Sequence, residues 1–464
     1  MTRAIACDCC RRPPGWRLLL ASLLALSHAC STAGPTRDVA RPPADSSVDE
    51  NRPDEPSLSE PTPLPESTDE TSVAHVPDAP VPTVATQATP EVPPTAPEGR
   101  DFIDEINLLY RTVACAGEQP VPDHLDARVI DNHCRRLERR KARYRKRYLK
   151  DALPFLMALH PPDLPDVLVY PFAGGDLISA LVAFPEAREI TTLSLEHAGD
   201  PRRIQDIGKS KLSHSLSGIS RRIGGLLSSG SNTSKNLSAA HKIHLPAQLS
   251  SFLIGLAVHD QVPVSARFFS LRDDGSIRYL DDADIQTLEK QRANRLKYDW
   301  EDADFSIAFS NIELHFRQRG AGAEAPVRIH RHIAANLDDK HLAKNPAVLR
   351  HLQAKGKVTI LTKGASYLLW RDSFSRIRDY MLAHLAWMLS DSTGIPPRFA
   401  RQASMKQTTL GRFRGSLLEA DDQHNDDFRA LWRSQPKRRL PFRFGYVDNH
   451  SNAHLLITAP APGP

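Results

Sequence analysis

The sequence predicts an α/β fold: a Rossmann-like, methyltransferase-like mixed sheet with flanking helices, preceded by a disordered, proline-rich tether. Three observations predict it. Short β-rich runs alternate with helical patterns from residue 161 to residue 460, which indicates a layered α/β domain. Val167 to Glu196, VLVYPFAGGDLISALVAFPEAREITTLSLE, reads as strand, turn-forming loop, helix and strand over roughly 30 residues, the length of one βαβ unit. Residues 31–100 hold 15 prolines and 13 acidic residues against 4 basic ones, a composition that buries too little apolar surface to offset ordering entropy.

At the N-terminus, Arg11, Arg12 and Arg17 precede the apolar run Leu18 to Leu26 and the stretch Ser27-His28-Ala29-Cys30, together a signal peptide over residues 1–29. The run is too short to span a bilayer, which takes roughly 20 apolar residues, and no later segment is long enough. Ser27 and Ala29 suit ordinary signal peptidase. Leu26 ahead of Cys30 resembles a bacterial lipobox, although that leucine lies four residues before the cysteine rather than three. Two readings follow: a protein lipidated at Cys30, or a secreted or periplasmic one in which Cys30 is incidental. Residues 30–100 form an acidic, self-repelling linker on either reading. Export leaves Cys115 and Cys134 in an oxidising compartment, where one disulfide stapling the helical segment 101–160 is expected.

Beyond residue 100 the chain carries 52 basic and 41 acidic residues, and much of the excess lies in RRLERRKARYRKRYLK, Arg135 to Lys150. Leu137, Tyr144 and Tyr148 recur at helical spacing and give a narrow apolar stripe on a cationic rod. Such a rod is either a solvated helix face or a patch for an anionic envelope surface; export disfavours nucleic acid.

From residue 161 to 460 the prolines of HPPDLPD stop the last helix and lead into the strand Val167 to Tyr170. LISALVAF is a helix and EITTLSLE a strand. GKSKLSHSLSGISRRIGGLL is helical and breaks into a Ser/Gly/Asn loop, and LPAQLSSFLIGLAVHD is another helix. VSARFFSL and SIRYL make a hairpin around RDDG. DFSIAFSNIELHFRQ alternates as a strand, PAVLRHLQAKGKVTILTKG reads helix, turn and strand, and DSFSRIRDYMLAHLAWML reads as one long amphipathic helix.

Ligands of open α/β sheets sit beyond the carboxyl ends of the strands. Here the first strand ends in Gly174-Gly175-Asp176, and the second in Glu196, 21 residues after Gly175, a spacing that suits a carboxylate accepting ribose hydroxyls. Two adjacent glycines are not a GxGxxG motif, and a carboxylate at the helix start would repel a pyrophosphate. Asp176 therefore reads as a helix cap and a nucleotide diphosphate is disfavoured. S-adenosylmethionine lacks a phosphate but is a cytoplasmic cofactor, so no cofactor is expected, and no metal. The loop is either scaffold or a small-ligand site.

The stretches VYPFAGGDLISALVAFP with LSLEHAG, LPAQLSSFLIGLAVHDQVPV, TKGASYLLWRDSFSRIRDYMLAHLAWMLSDSTGIP and LPFRFGYVDNHSNAHLL resemble, in that order over most of residues 101–460, a family of uncharacterised bacterial envelope proteins with YPFSGPD, LEPVG, ASYLMH and DDSGIP motifs. This chain departs from them at Ala173, Gly175, His197, Ser390 and Thr393. The resemblance implies architecture and location and carries no reaction.

Asp176 and Glu196 are candidates for paired carboxylates, one with a raised pKa, and Lys363 with Ser366 for a base and nucleophile, although no GxSxG or HExxH signature is present. Gly174, Gly175, Glu196, Arg376, Arg378 and Asp391 are the ligand-binding candidates; alternatively, the two arginines and Asp391 form a partly buried ion-pair network. Arg371, Ser392 and Arg398 recur beside them. His330 and His332 fall on one face of a strand, and are expected to be solvated rather than metal-bound. The chain thus reads as an exported cell-envelope protein, a lipid-anchored scaffold or small-ligand-binding domain. The alternative is an extracytoplasmic enzyme, a degenerate methyltransferase-like protein or a hydrolase.

Overall fold

The computed structural model describes residues 99–118, 120–227, 243–290, 306–413, 422–444 and 453–461. The signal peptide, Cys30 and the acidic linker as far as residue 98 lie outside them; Arg100, at the end of the linker, pairs with Glu105 and Asp282, each at 2.8 Å.

Three helices come first: α1 (Ile103–Val113), α2 (Ala127–Tyr144) and α3 (Lys150–Met157), the last two joined by a single wide turn, Arg145–Leu149, with π-type hydrogen bonding. Asp126 starts α2 by accepting the Val129 N–H at 3.0 Å. Leu137, Tyr144 and Tyr148 turn inward, and the two tyrosine rings stack 5.1 Å apart. Cys115 and Cys134 are joined in a disulfide that ties the end of α1 to α2, Cα to Cα 5.3 Å.

Ten strands form one mixed sheet. They are β1 (Val167–Pro171), β2 (Glu189–Ser194), β3 (Gln261–Leu271), β4 (Ile277–Tyr279), β5 (Asn311–Gln318), β6 (Arg328–Ala334), β7 (Val358–Thr362), β8 (Leu385–Ser390), β9 (Met405–Arg412) and β10 (Ala453–Pro460). Their order is β4-β3-β5-β6-β2-β1-β7-β8-β10-β9. The run β6-β2-β1-β7-β8 is parallel, and antiparallel β10 is inserted between β8 and β9, the arrangement of methyltransferase-like Rossmann sheets. The hairpin β3-β4 and strand β5 extend the other edge in antiparallel register.

Alternation along each central strand divides the core between the two faces. Leu168 and Tyr170 point to a face covered by α1, α2, α4 (Leu177–Ala183), α5 (Lys209–Leu227) and α6 (Ala247–Val258). Val169 points to the other face, covered by α8 (Asp339–Lys344), α9 (Ala347–Gln353), α10 (Ser375–His384) and α11 (Pro397–Gln402). Two further helices, α7 (Asp282–Lys290) and α12 (Asp422–Ser434), pack near the sheet edges. Glu313 on β5 accepts from Tyr279 at 2.7 Å and also binds Arg331, which bridges to Glu189 at 2.6 Å, so one charged chain staples β4, β5, β6 and β2.

One element differs from the sequence reading. The helix expected over DSFSRIRDYMLAHLAWML ends at His384, and Leu385–Ser390 is strand β8, parallel to β7. Trp387, Met388 and Leu389 are buried on both faces of the sheet, and a short apolar run buried on all sides carries no period that separates strand from helix. In the strand read over DFSIAFSNIELHFRQ, Ile307–Phe309 is a 3-10 turn and only Asn311–Gln318 is extended.

Candidate functional site

The carboxyl ends of β1, β2, β7 and β8 bring their following loops together at the point where the parallel strands run outward in both directions from β1 and β7. The loop after β1 carries backbone strain: Phe172 has φ +60° and Gly174 φ +53°, a region open to glycine but unfavourable for an aromatic residue. Gly175 is required for a different reason. A Cβ there would stand 2.8 Å from the Ser251 Cβ and 3.1 Å from Arg222 Nη2.

Asp176 caps α4, its Oδ1 accepting the Ser179 N–H at 3.0 Å and its Oδ2 the Tyr170 hydroxyl at 3.2 Å. Lys363, which follows β7, places its ammonium 3.8 Å from Asp176 Oδ2, donates to Ser179 Oγ at 3.1 Å and lies 5.3 Å from the Phe444 ring centre. The two charged side chains are at most 2% exposed. Burial and the neighbouring carboxylates of Asp176 and Asp391 push the Tyr170 phenol well above its usual range, so it serves as a donor.

Ser366 belongs to a second, adjoining network. Its hydroxyl bonds Thr393 Oγ1 at 2.6 Å, and Asp391 accepts the Thr393 N–H at 2.8 Å, the Thr393 hydroxyl and the Gly364 N–H at 3.4 Å. Burial raises the Asp391 carboxyl above the ordinary range, against the lowering effect of these bonds and of Lys363. Ser392 bonds His454 Nε2 at 2.9 Å, which ties this loop to β10.

Several expectations are corrected by this geometry. Lys363 and Ser366 do not pair as base and nucleophile, because each is held by a different partner, Ser179 and Thr393. Asp176 has Lys363 as a charged neighbour, while Glu196 exerts its field on Arg222. Arg376 and Arg378 do not reach Asp391. Arg376 is exposed with its backbone N–H on Asp339, and Arg378 donates to the Leu369 and Arg371 carbonyls at 2.8 and 3.0 Å under the Phe399 ring. Arg378 therefore anchors the 3-10 turn Ala365–Trp370 to α10. Arg371 lies over the Trp370 ring, and Arg398 is directed to the Trp370 carbonyl.

His330 and His332 are not solvated. Both lie on β6 with no exposure, bracketing Thr192 Oγ1 at 2.9 and 3.1 Å beneath the Phe252 ring; His332 Nε2 bonds the Glu196 carbonyl at 2.7 Å. Burial holds His332 down to about 4 and His330 well below its ordinary value, so both are neutral. Among the described residues no group of three or more His, Cys, Asp or Glu side chains is placed to hold a metal ion.

The residue that sequence reasoning missed is Arg222 on α5. It is 3% exposed, its Nη2 donates to Gln248 in the first turn of α6, and its Nε and Nη1 have no hydrogen-bond partner. The signal was present: Arg222 falls three after Ile219 and four before Leu226, on the buried stripe of α5. No family model matches this chain, and no curated protein or solved structure is significantly similar to it.

Proposed function

We propose that this chain is an exported cell-envelope protein, anchored by a lipid on Cys30, in which the acidic linker carries a Rossmann-like domain that works by binding and not by catalysis. The observation that supports binding over catalysis is the buried pair Asp176 and Lys363, 3.8 Å apart and at most 2% exposed. Facing each other inside the fold, the ammonium and the carboxylate each hold the other in its charged form, which opposes the proton exchange that acid–base catalysis requires. Ser366 is spent on Thr393 in the same way.

The basic segment supports an envelope-facing orientation. Lys141 and Arg145 are consumed structurally: Lys141 donates to the Ala114 carbonyl, and Arg145 binds the Ala257 and Val258 carbonyls at the end of α6, where a cation complements the helix dipole. Arg136, Arg139, Arg143, Arg147 and Lys150 stay exposed and give a cationic face suited to anionic headgroups. Among the described residues no helix is long and apolar enough to cross a membrane, so the proposed attachment rests on the N-terminus.

Expression of the full chain in a Gram-negative host followed by mass spectrometry of the mature N-terminus tests the anchor. A diacylglyceryl-modified Cys30 is expected. A free N-terminus at Cys30 overturns the anchor, and an uncleaved N-terminus overturns export.

A further inference from the structure

We propose that Arg222 forms an oxyanion-binding site, taking the carboxylate of a small amino- or hydroxy-acid against the Gly174-Gly175 loop. Guanidinium carries five N–H donors, and here Nε–H and both Nη1–H bonds are unused although the side chain is 3% exposed. A buried cation with unsatisfied donors is costly, and folding alone gives no reason to place it there. What surrounds it has the make-up of a receptor. Gln248, whose Oε1 takes the Nη2 proton, leaves its own Nε2 unbonded, and it lies in the first turn of the twelve-residue helix α6, whose dipole favours a negative charge.

The Gly175 backbone passes so close that any Cβ would press on Nη2 and on Ser251, which explains why the loop after β1 holds a second glycine. Glu196, in the loop after β2, exerts its field on Arg222, and its carboxylate is assigned by this proposal to an ammonium or hydroxyl on the same ligand. The neutral His332, held by Thr192 and the Glu196 carbonyl, adds no competing anion. Arginine binds a planar carboxylate through paired N–H bonds, which a lysine cannot reproduce.

This site deepens the reading of the domain as a binding module and rests on it. Isothermal titration of the purified full chain with glycine, acetate and inorganic phosphate tests it. Millimolar binding is expected for so few ligand atoms, roughly the range set by ligand efficiency. Glycine should bind more tightly than acetate, and the preference should disappear in Glu196→Gln. Arg222→Met should weaken glycine binding at least tenfold, with Arg222→Lys intermediate; if the methionine variant fails to fold, the lysine variant carries the comparison. The site is overturned if none of the three probes binds the wild type, or if the arginine variants bind as well as the wild type. Proton NMR of the glycine signal over hours separates the two claims: consumption of bound glycine leaves the site standing and overturns non-catalytic binding.

Discussion

Replacing Lys363 by methionine removes one member of a buried charge pair and leaves its partner in place. Asp176 is 1% exposed, so its carboxylate would lose the ammonium 3.8 Å away without gaining water. Breaking such a pair from one side costs about 3–5 kcal/mol, because the carboxylate stays buried and keeps its Ser179 and Tyr170 hydrogen bonds but loses the ammonium beside it. Removing both charges is different. In Asp176→Asn with Lys363→Met, the asparagine still caps α4 through the Ser179 N–H, and the loss should fall to about 1–2 kcal/mol. Urea unfolding of the wild type, both single variants and the double variant, at constant m-value, gives the coupling energy directly. With each single variant down by about 3–5 kcal/mol and the double by about 1–2, a coupling of about 4–9 kcal/mol supports two charges that serve each other. If Lys363→Met instead raises stability, Lys363 is a residue held at a cost for a function, and the non-catalytic reading is refuted.

Acid should unfold the domain at mildly low pH. His332, His351 and His454 are each at most 8% exposed, and burial holds them down to about 4, about 4 and about 3. A folded pKa below the unfolded value of about 6.5 gives stability that is full above that pH and lost as pH falls towards 4. At pH 5 each group costs about 2 kcal/mol, together about 6, so a drop of under 2 kcal/mol between pH 7 and pH 5 in urea titrations would contradict the assignment. Replacing Cys115 and Cys134 by serine opens a bridge across 19 residues and should lower stability by about 3 kcal/mol; an unchanged unfolding midpoint under reducing and oxidising conditions would refute the bridge. Serine at Arg136, Arg139 and Arg143 should weaken the binding of an unlipidated chain beginning at residue 31 to phosphatidylglycerol vesicles, read by co-sedimentation at low salt, on the order of a hundredfold, from roughly 1 kcal/mol per charge, with no change for neutral vesicles. Equal binding by the variant would remove the envelope-facing role.

The βαβ step from Val167 to Ser194 was legible because its signals are local: prolines bounding a β-rich run, glycines in the turn, an acidic cap at the helix start. The hairpin β3-β4 and the helix-turn-strand step into β7 were legible for the same reason. The strand β8 was not, since its Leu-Ala-Trp-Met-Leu run is buried except for the half-buried Ala386 and has no amphipathic period to read. The site was only half visible. Asp176 announced itself as a cap by its position, but its charged partner Lys363 lies 187 residues away and is brought to it by the crossover that sets β7 beside β1.

By itself, then, the sequence determined the alternation of strands and helices, the proline-rich acidic composition of the linker, the glycine pair at the exit of β1 and the cationic face of α2. Each of these is a property of neighbouring residues. Tertiary structure alone decided which polar groups meet. Parallel strands are joined by long crossovers, so side chains at adjacent strand ends are distant in sequence, and their pairing follows from strand order. That order put Lys363 on Asp176, Ser366 on Thr393 and neither on Glu196. It also carried Arg222, one arginine among many in the sequence, beneath Gly175, where Nη2 reaches Gln248 while Nε and Nη1 are buried without hydrogen bonds.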